Sequence, residues 1–187
     1  MDVNNNNLVT ILVLCINTIA TISYYVIYSR ENIKNAFIKL PQIIQKMYVG
    51  LFVIPLFCAP FFKQSKFCKQ NIILMYSGII VFIVGIAFII MSFTKIGVVP
   101  SIKGKSGLST NGIYGIVRHP IYAGTIIAQI GLTVLNQSLV TLIYIPISII
   151  LYFFMTVIEE KDLCNKFGKE YIEYKQKVKK RVIPFIL

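Results

Sequence analysis

The sequence predicts an all-α integral membrane protein with about five transmembrane helices, a cytosolic loop and an amphipathic C-terminal helical segment. Of its 187 residues, 56% are hydrophobic, and the mean hydropathy is +0.74. The apolar residues are gathered into runs of roughly 20, the length that an α-helix needs to cross a hydrocarbon core about 30 Å thick. Charged residues lie mostly between these runs, as expected of loops at a membrane surface.

The first two predicted spans differ in regularity. The first covers about residues 8–28; no basic residue precedes it and no small-residue cleavage site follows it. We therefore interpret it as a retained membrane helix and not as a signal peptide. The second covers about residues 47–62 and contains Pro55 and Pro60. Prolines at these positions favour a kinked or partly re-entrant helix.

The remaining spans end in a helical hairpin. The third, about residues 72–93, is the most uniformly apolar. The fourth is short, about 120–135, and the fifth covers about 138–158; the polar pair Asn136-Gln137 between them predicts a tight turn. Beyond the hairpin, apolar residues at steps of three or four predict an amphipathic helix on the membrane or over the cytosolic helix ends: Leu163, Phe167, Tyr171, Tyr174 and Val178.

The distribution of basic residues predicts the orientation. Residues 29–46, residues 94–119 and the C-terminal tail carry sixteen Lys and Arg, whereas the loop after the second span carries three. The positive-inside rule therefore puts the N-terminus outside the cell membrane and the tail in the cytosol. The net charge of +12 follows from this topology and from anionic lipid headgroups, and nothing in the sequence indicates a nucleic-acid partner.

No metal site is expected. His119 is the only histidine, and it has no second histidine or cysteine nearby. The four cysteines show neither a CxxC pair nor another metal-binding spacing, and we interpret them as small apolar side chains. They are Cys15, Cys58, Cys68 and Cys164.

The stretch from Gly112 to Gly124 lies between two apolar runs and contains the single histidine. Pro120 suits the first turn of a helix because its missing N–H would have no intrahelical partner. His119 then falls at or next to the N-cap, with Arg118 just outside. Unpaired N–H groups and the positive end of the helix dipole at this point predict an anion-binding site. A structural role for a lone interfacial histidine is the alternative.

Acidic residues reappear together at the end of the fifth span, after a long stretch without any: Glu159, Glu160 and Asp162. Carboxylates are disfavoured at the C-terminal end of a helix, so either the helix continues or the acids have cationic partners. One interpretation is a solvated helix face beside neighbouring lysines. The other places Glu159 opposite Arg118 and His119, because the ends of a hairpin meet at one membrane surface.

Two motifs therefore stand at neighbouring ends of the hairpin. They read Gly112-x-Tyr114-x3-Arg118-His119-Pro120-x-Tyr122-x-Gly124 and Glu159-Glu160-x2-Leu163-x3-Phe167-Gly168-x2-Tyr171-x2-Tyr174. In this order they resemble the motifs of the isoprenylcysteine carboxyl methyltransferases, and the related phospholipid N-methyltransferases share much of the pattern. The resemblance covers about residues 106–184.

The resemblance implies a helical membrane enzyme that uses S-adenosylmethionine and has no Rossmann-type domain. Residues 94–187 would form the catalytic region, which consists of the cofactor loop, the helical hairpin 4–5 and the amphipathic tail and has a cytosolic cofactor pocket. Residues 1–93 would form the N-terminal transmembrane helices 1–3. The implied cofactor-binding residues are Ser106, Gly107, Leu108, Ser109, Tyr114, His119, Pro120, Ile121, Tyr122 and Glu159. Among the implied catalytic residues, Arg118 and His119 suit the carboxylate of the cofactor, and Glu159 suits its ammonium or a ribose hydroxyl.

The expected acceptor is a lipophilic small molecule or a lipidated substrate that enters from the bilayer, such as the carboxylate of a prenylcysteine-like molecule. Prenylcysteine enzymes of eukaryotes carry an arginine about one turn before the glutamates, whereas residues 155–158 read Met-Thr-Val-Ile here. A phospholipid amine acceptor stays open for this reason, as does a non-enzymatic membrane protein such as a transporter subunit. Sterol reductases echo the motifs but have a larger membrane fold. The sequence leaves the oligomeric state open.

Overall fold

The computed structural model describes residues 3–96 and 107–182, and these are mainly helical. Within these two ranges, seven α-helices follow in order: α1 (Val3–Ser29), α2 (Glu31–Ile38), α3 (Gln42–Cys58), α4 (Ile72–Ile96), α5 (Pro120–Asn136), α6 (Leu139–Phe167) and α7 (Lys169–Lys177). Two short 3-10 helices, Ala59–Phe61 and Gly112–Gly115, follow α3 and precede α5. No β-strand occurs in the two described ranges.

In the part of the chain that the structure describes, four segments are long and apolar enough to cross a membrane: Asn7–Ser29, Gln42–Phe61, Ile72–Thr94 and Leu139–Phe167. Helix α5 is a shorter apolar helix of 17 residues, in keeping with the short fourth span that the sequence predicts. It packs against α3, α4 and α6. The predicted all-α integral membrane fold is thereby confirmed.

Two elements differ from the sequence expectation. The fifth span is predicted over about 138–158, but α6 continues to Phe167 because Leu163 and Phe167 extend its apolar face. The helix ends at Gly168, which has a positive φ of 53°. The acidic residues therefore lie inside the helix and not at its end. Helix α2 is the second difference: its eight residues are too few and too polar for a span, so hydropathy gives no sign of it.

Glycines allow α4 and α5 to pack backbone to backbone. A Cβ atom at Gly85 would lie 2.4 Å from a backbone nitrogen of α5, and one at Gly131 would lie 2.3 Å from a backbone nitrogen of α4. Gly78 and Gly124 approach the partner helix in the same way. The two glycines of α4, Gly78 and Gly85, are seven residues apart, as are Gly124 and Gly131 of α5, so the two glycines of each helix lie on one face. This contact holds α5 in place, including the end that carries the sequence motif.

Hydrogen bonds inside the bundle join α1, α3 and α6. The Asn17 amide of α1 donates to the Phe52 carbonyl of α3 at 2.7 Å, and the Tyr152 hydroxyl of α6 donates to the same carbonyl at 2.8 Å. The Tyr144 hydroxyl donates to Asn17 Oδ1 at 2.9 Å. Polar groups at this depth must find partners within the protein because the bilayer offers no water. The three helices therefore form one packed wall.

Candidate active site

The start of α5 has the geometry that the sequence predicts. His119 is the N-cap residue and Pro120 is the first residue of the helix. His119 is 6% exposed and Arg118 is 9% exposed. Although both are nearly buried, both line a cavity of about 370 Å³. The positive end of α5 therefore faces an internal space.

This cavity collects predicted site residues from distant parts of the chain. Those that line it are Gly107, Leu108, Ser109, Tyr114, Arg118, His119, Pro120, Ile121, Tyr122 and Glu159. Ser106 lies outside the described residues. Side chains of α1, α2, α3, α4, α6 and α7 also line it, so the cavity is shared between the predicted regions 1–93 and 94–187. The geometry thus brings the described members of the predicted set together.

Glu159 points into the cavity and is held by hydroxyl donors. Tyr122 donates to its Oε1 at 2.5 Å, and Tyr24 of α1 donates to the same oxygen at 3.1 Å. Its Oε2 lies 3.4 Å from Nδ1 of His119. Glu159 therefore faces His119 as the sequence suggested. The contribution of Tyr24 carries no sequence signal, because α1 reads only as an apolar helix.

Glu160 points away from the cavity and forms a buried charge cluster. Its Oε1 lies 2.8 Å from Nη2 of Arg118, and Arg181 donates from Nε and Nη2 to its two oxygens, each at 3.0 Å. Lys175 Nζ lies 3.6 Å from Oε2. The expectation that Arg118 faces Glu159 is therefore wrong. Consecutive helical residues point about 100° apart, so Arg118 can contact Glu160 while Glu159 faces the cavity.

Arg118 also holds the segment after α7, residues 178–181, which we call the tail strap. Its Nη1 donates to the carbonyls of Val178 at 2.7 Å and Lys179 at 2.8 Å. The backbone N–H groups of Arg118 and His119 donate to carbonyls of the strap at 3.0 and 2.9 Å. The guanidinium is thus occupied by protein acceptors, and the strap closes the side of the site formed by residues 118–119.

His119 lies between the two glutamates, with Nε2 at 3.3 Å from Glu160 Oε1. Burial by itself lowers the pKa of a histidine because it disfavours the charged ring. Hydrogen bonds and charge attraction from Glu159 and Glu160 outweigh burial and raise the pKa of His119 above its ordinary value. His119 therefore keeps a proton at pH values where a free imidazole is neutral, which adds positive charge to the N-terminus of α5.

Two tyrosine hydroxyls in the cavity wall have no hydrogen-bond partner among the described residues. They belong to Tyr114, 6% exposed, and Tyr171, 1% exposed. By contrast, the Tyr174 hydroxyl donates to the Tyr114 carbonyl at 2.7 Å. Buried polar groups are nearly always paired, directly or through ordered water, so these two hydroxyls are exceptions in the wall of the cavity. The spacing of apolar residues from Leu163 to Val178 leaves two roles open for Tyr171, packing or a lid over the site, because periodicity does not show whether a hydroxyl has a partner.

Comparison with known proteins gives a family match over this region. A sequence model of the phospholipid methyltransferase family matches residues 73–170, just over half of the chain. The matched range includes all but the first residue of α4 and the whole of α5 and α6, and so contains Glu159 and the α5 N-terminus. No solved structure matches the chain.

Curated relatives match shorter stretches. Methanethiol S-methyltransferase 1 of Bradyrhizobium diazoefficiens is 39% identical over 66 residues, 35% of this chain and 22% of the relative. Protein-S-isoprenylcysteine O-methyltransferase B of Arabidopsis thaliana is 35% identical over 80 residues, 42% of this chain and 40% of the relative. Form A of the same plant enzyme is 32% identical over 81 residues, with 43% and 41% covered. The matches thus span less than half the length of these relatives.

Proposed function

The chain belongs to the phospholipid methyltransferase family, and from this premise we propose that it is a membrane-embedded methyltransferase that uses S-adenosylmethionine. We propose further that it methylates a lipophilic acceptor at the cytosolic face of a cell membrane. The observation that carries this function is the convergence of His119 and Glu159 on one cavity.

The chemistry of the cavity suits this cofactor. A cavity of about 370 Å³ falls in the range of about 300–1,000 Å³ typical of small-molecule sites. The N–H groups of the first turn of α5, beside His119, suit a carboxylate, and Glu159 suits an ammonium or a ribose hydroxyl. The unpartnered hydroxyls of Tyr114 and Tyr171 have almost no accessible surface, so they would donate to the cofactor only after a small movement of the cavity wall. The rest of the wall would be formed by Gly107, Leu108, Ser109, Pro120, Ile121 and Tyr122.

We assign Arg118 a supporting role and not a direct contact with the cofactor. Its guanidinium already binds Glu160 and two carbonyls of the tail strap. Releasing it toward a ligand would leave the buried Glu160 with fewer cationic partners, which is costly at a nearly water-free position. Arg118 therefore acts by holding the shape of the site, and His119, whose ring nitrogens face Glu159 and Glu160, lines the cavity at the N-terminus of α5.

The cofactor, when bound, supplies an electrophilic methyl group: a bond forms between the acceptor atom and the methyl carbon while the carbon–sulfur bond breaks and its electron pair stays on sulfur. The chain contributes alignment and exclusion of water. A carboxylate acceptor reacts without loss of a proton, whereas an ammonium acceptor must first lose one. No nucleophilic side chain is required for either.

The acceptor we propose is the carboxylate of a prenylcysteine-like molecule, and two of the matched relatives are named for such a substrate. A phosphatidylethanolamine-type amine is the second candidate, favoured by the family match and by the absence of an arginine at residues 155–158. A small membrane protein without enzymatic activity, such as a transporter subunit, predicts no cofactor binding at all.

Calorimetric titration of S-adenosylhomocysteine into the detergent-purified protein tests the function. We expect saturable binding by the wild type and by Glu173→Gln, whose side chain is exposed on α7, and loss of binding in His119→Ala. No binding to folded wild type would overturn the assignment and favour the transporter subunit. Radiolabelled methyl transfer to lipid extracts or to prenylcysteine analogues then separates the two acceptor classes by their products.

The membrane face is tested with the native cysteines. We propose that residues 1–93 carry the N-terminal spans, that residues 94–187 form the catalytic region, and that the N-terminus is outside. Cys68 and Cys164, both partly exposed, would then lie on opposite sides. A membrane-impermeant maleimide should label Cys68 in intact cells and Cys164 only after permeabilisation, in variants that keep one cysteine each. The reverse pattern would overturn the orientation.

A further inference from the structure

The half of the cavity formed by the N-terminal helices is lined by aromatic rings. We call it the aromatic chamber, and it consists of Tyr24 and Tyr28 of α1, Phe37 of α2, and Tyr48 and Phe52 of α3. Each ring contacts the next in a closed circle, with centroid separations between 4.2 and 6.2 Å. The chamber lies outside the matched family region and shares no residue with the proposed cofactor set. It is therefore the part of the cavity left for the acceptor.

The surface that the chamber offers is mainly apolar. The Tyr48 hydroxyl is 2.6 Å from Ser23 Oγ, and the Tyr24 hydroxyl is bound to Glu159. The neighbouring Tyr152 hydroxyl donates to the Phe52 carbonyl. These hydroxyls are already hydrogen-bonded within the protein, so a ligand in the cavity would contact mainly the carbon atoms of the rings. An apolar chain fits such a space, because it gains burial without stranding a polar group.

The charged groups at the edge of the chamber are Lys34 of α2 and Asp162 of α6. Lys34 Nζ lies 2.6 Å from Asp162 Oδ2, with the side chains 18% and 30% exposed. The same ammonium lies 5.8 Å from the centroid of the Tyr28 ring. Both residues line the cavity, and within residues 3–96 and 107–182 their recorded ion pairs are with each other. This pair is therefore the charged group that an acceptor headgroup meets.

The two charges of the pair differ in how readily they can be released. Asp162 is the more exposed partner, so its carboxylate can return to water when an anionic headgroup takes its place at Lys34. A cationic headgroup would instead take Asp162 and leave the less exposed ammonium of Lys34 without its counter-charge. Exposed Lys166 also lines the cavity and adds positive potential. The arrangement favours an anionic headgroup.

We propose that Lys34 binds the headgroup of the acceptor, and that the acceptor is a lipophilic carboxylate whose apolar chain occupies the aromatic chamber. This assignment rests on the proposed methyltransferase function. In it, Lys34 of α2 takes the place of the basic residue that is missing from residues 155–158. Both a free lipid carboxylate and the C-terminal carboxylate of a lipidated peptide have this chemistry. At neutral pH either is already deprotonated and needs no base for methyl transfer.

Binding of matched ligands to the full-length protein in lipid nanodiscs tests the assignment without turnover. The probes are palmitate, hexadecylamine and N-acetyl-S-farnesylcysteine, each titrated calorimetrically into wild type, Lys34→Gln and Lys39→Gln. Lys39 is exposed at the end of α2 and serves as the matched control. We expect Lys34→Gln to lower the affinity for palmitate and for N-acetyl-S-farnesylcysteine by about tenfold, the effect of losing one charge-assisted hydrogen bond. The affinity for hexadecylamine should not fall. Lys39→Gln should match wild type.

A second variant reverses the sign of the effect. Asp162→Asn removes the carboxylate that competes with the ligand for Lys34, so it should raise the affinity for both carboxylate probes. General damage to the site would lower this affinity. Tighter binding of palmitate than of the farnesyl compound would indicate a free lipid, and the opposite order a lipidated peptide. Equal losses in Lys34→Gln and Lys39→Gln, or weaker carboxylate binding to Asp162→Asn, would overturn the role of Lys34.

Titration of S-adenosylhomocysteine into the same variants separates this assignment from the proposed function. Lys34→Gln should bind it as wild type does. Failure of the wild type to bind it would overturn the methyltransferase function, whereas normal binding together with an unchanged carboxylate affinity in Lys34→Gln would overturn only the acceptor assignment.

Discussion

The guanidinium of Arg118 and the carboxylate of Glu160 form a buried ion pair, with 2.8 Å between Nη2 and Oε1, although 42 residues separate them in the sequence. The pair joins the start of α5 to α6, and Arg181 brings the tail strap to the same carboxylate. One buried acid thus holds three segments that surround the candidate site. Glu159, its neighbour, faces the cavity instead.

Replacement of Glu160 by glutamine should therefore destabilise the protein. The change removes the charge that Arg118 and Arg181 share, and loss of one partner of a buried pair typically costs about 3–5 kcal/mol. The unfolding midpoint in detergent should fall strongly. Glu173→Gln is the control, because Glu173 lies 4.0 Å from Lys169 in an exposed pair and should leave the midpoint near wild type. Equal midpoints for the two variants would exclude a structural role for Glu160.

Replacement of Glu159 by glutamine should act on binding more than on stability. Glutamine keeps an oxygen that accepts from Tyr24 and Tyr122 but lacks the charge for a ligand ammonium. We expect affinity for S-adenosylhomocysteine to fall about tenfold or more, with a smaller change in the unfolding midpoint than in Glu160→Gln. Affinity should fall further in Glu159→Gln than in Glu160→Gln. Small and equal effects on affinity would remove Glu159 from the site.

The local parts of this architecture could be predicted from the sequence, and the contacts between distant helices could not. The N-cap at His119 and the helical hairpin follow from proline placement and a polar turn, which act within a few residues. Whether Glu159 or Glu160 is the partner of Arg118 depends on the rotation of α6 about its axis. The pattern of apolar residues does not define this rotation closely enough to choose between two adjacent residues. Tyr24 and Lys34 enter the cavity through the packing of α1 and α2, whose sequences indicate only an apolar helix and a polar connection.

Alanine at Gly85 or Gly131 should destabilise the contact between α4 and α5. The new methyl group would lie within 2.4 Å of the partner backbone, which cannot move as a side chain can, and overpacking of this kind typically costs about 1–3 kcal/mol. Gly50→Ala is the control, because its Cβ meets only the end of the Ile54 side chain at 3.2 Å and alanine favours a helix. A wild-type unfolding midpoint for Gly131→Ala would show that the helices are not in backbone contact.

The contribution of His119 to stability should depend on pH. Its pKa is raised in the folded protein by Glu159 and Glu160, against the effect of burial, so the folded state binds the proton more tightly than the unfolded state does. The resulting stabilisation is complete below the ordinary value of 6.5 and is lost as the pH rises through the raised folded pKa. The difference in unfolding midpoint between wild type and His119→Gln should therefore shrink with rising pH. A difference that grows with pH would show that the folded pKa is lowered.

Two neighbouring tyrosines on α7 allow a ligand contact to be separated from a structural one. The Tyr171 hydroxyl lacks a partner within the described residues, so Tyr171→Phe should leave the unfolding midpoint unchanged or slightly higher and should weaken binding of S-adenosylhomocysteine severalfold. Tyr174→Phe removes the hydrogen bond to the Tyr114 carbonyl and should cost about 1 kcal/mol of stability. Wild-type affinity in Tyr171→Phe would mean that its hydroxyl does not reach the ligand. A loss of stability in that variant would mean that the hydroxyl has a partner in the unliganded protein.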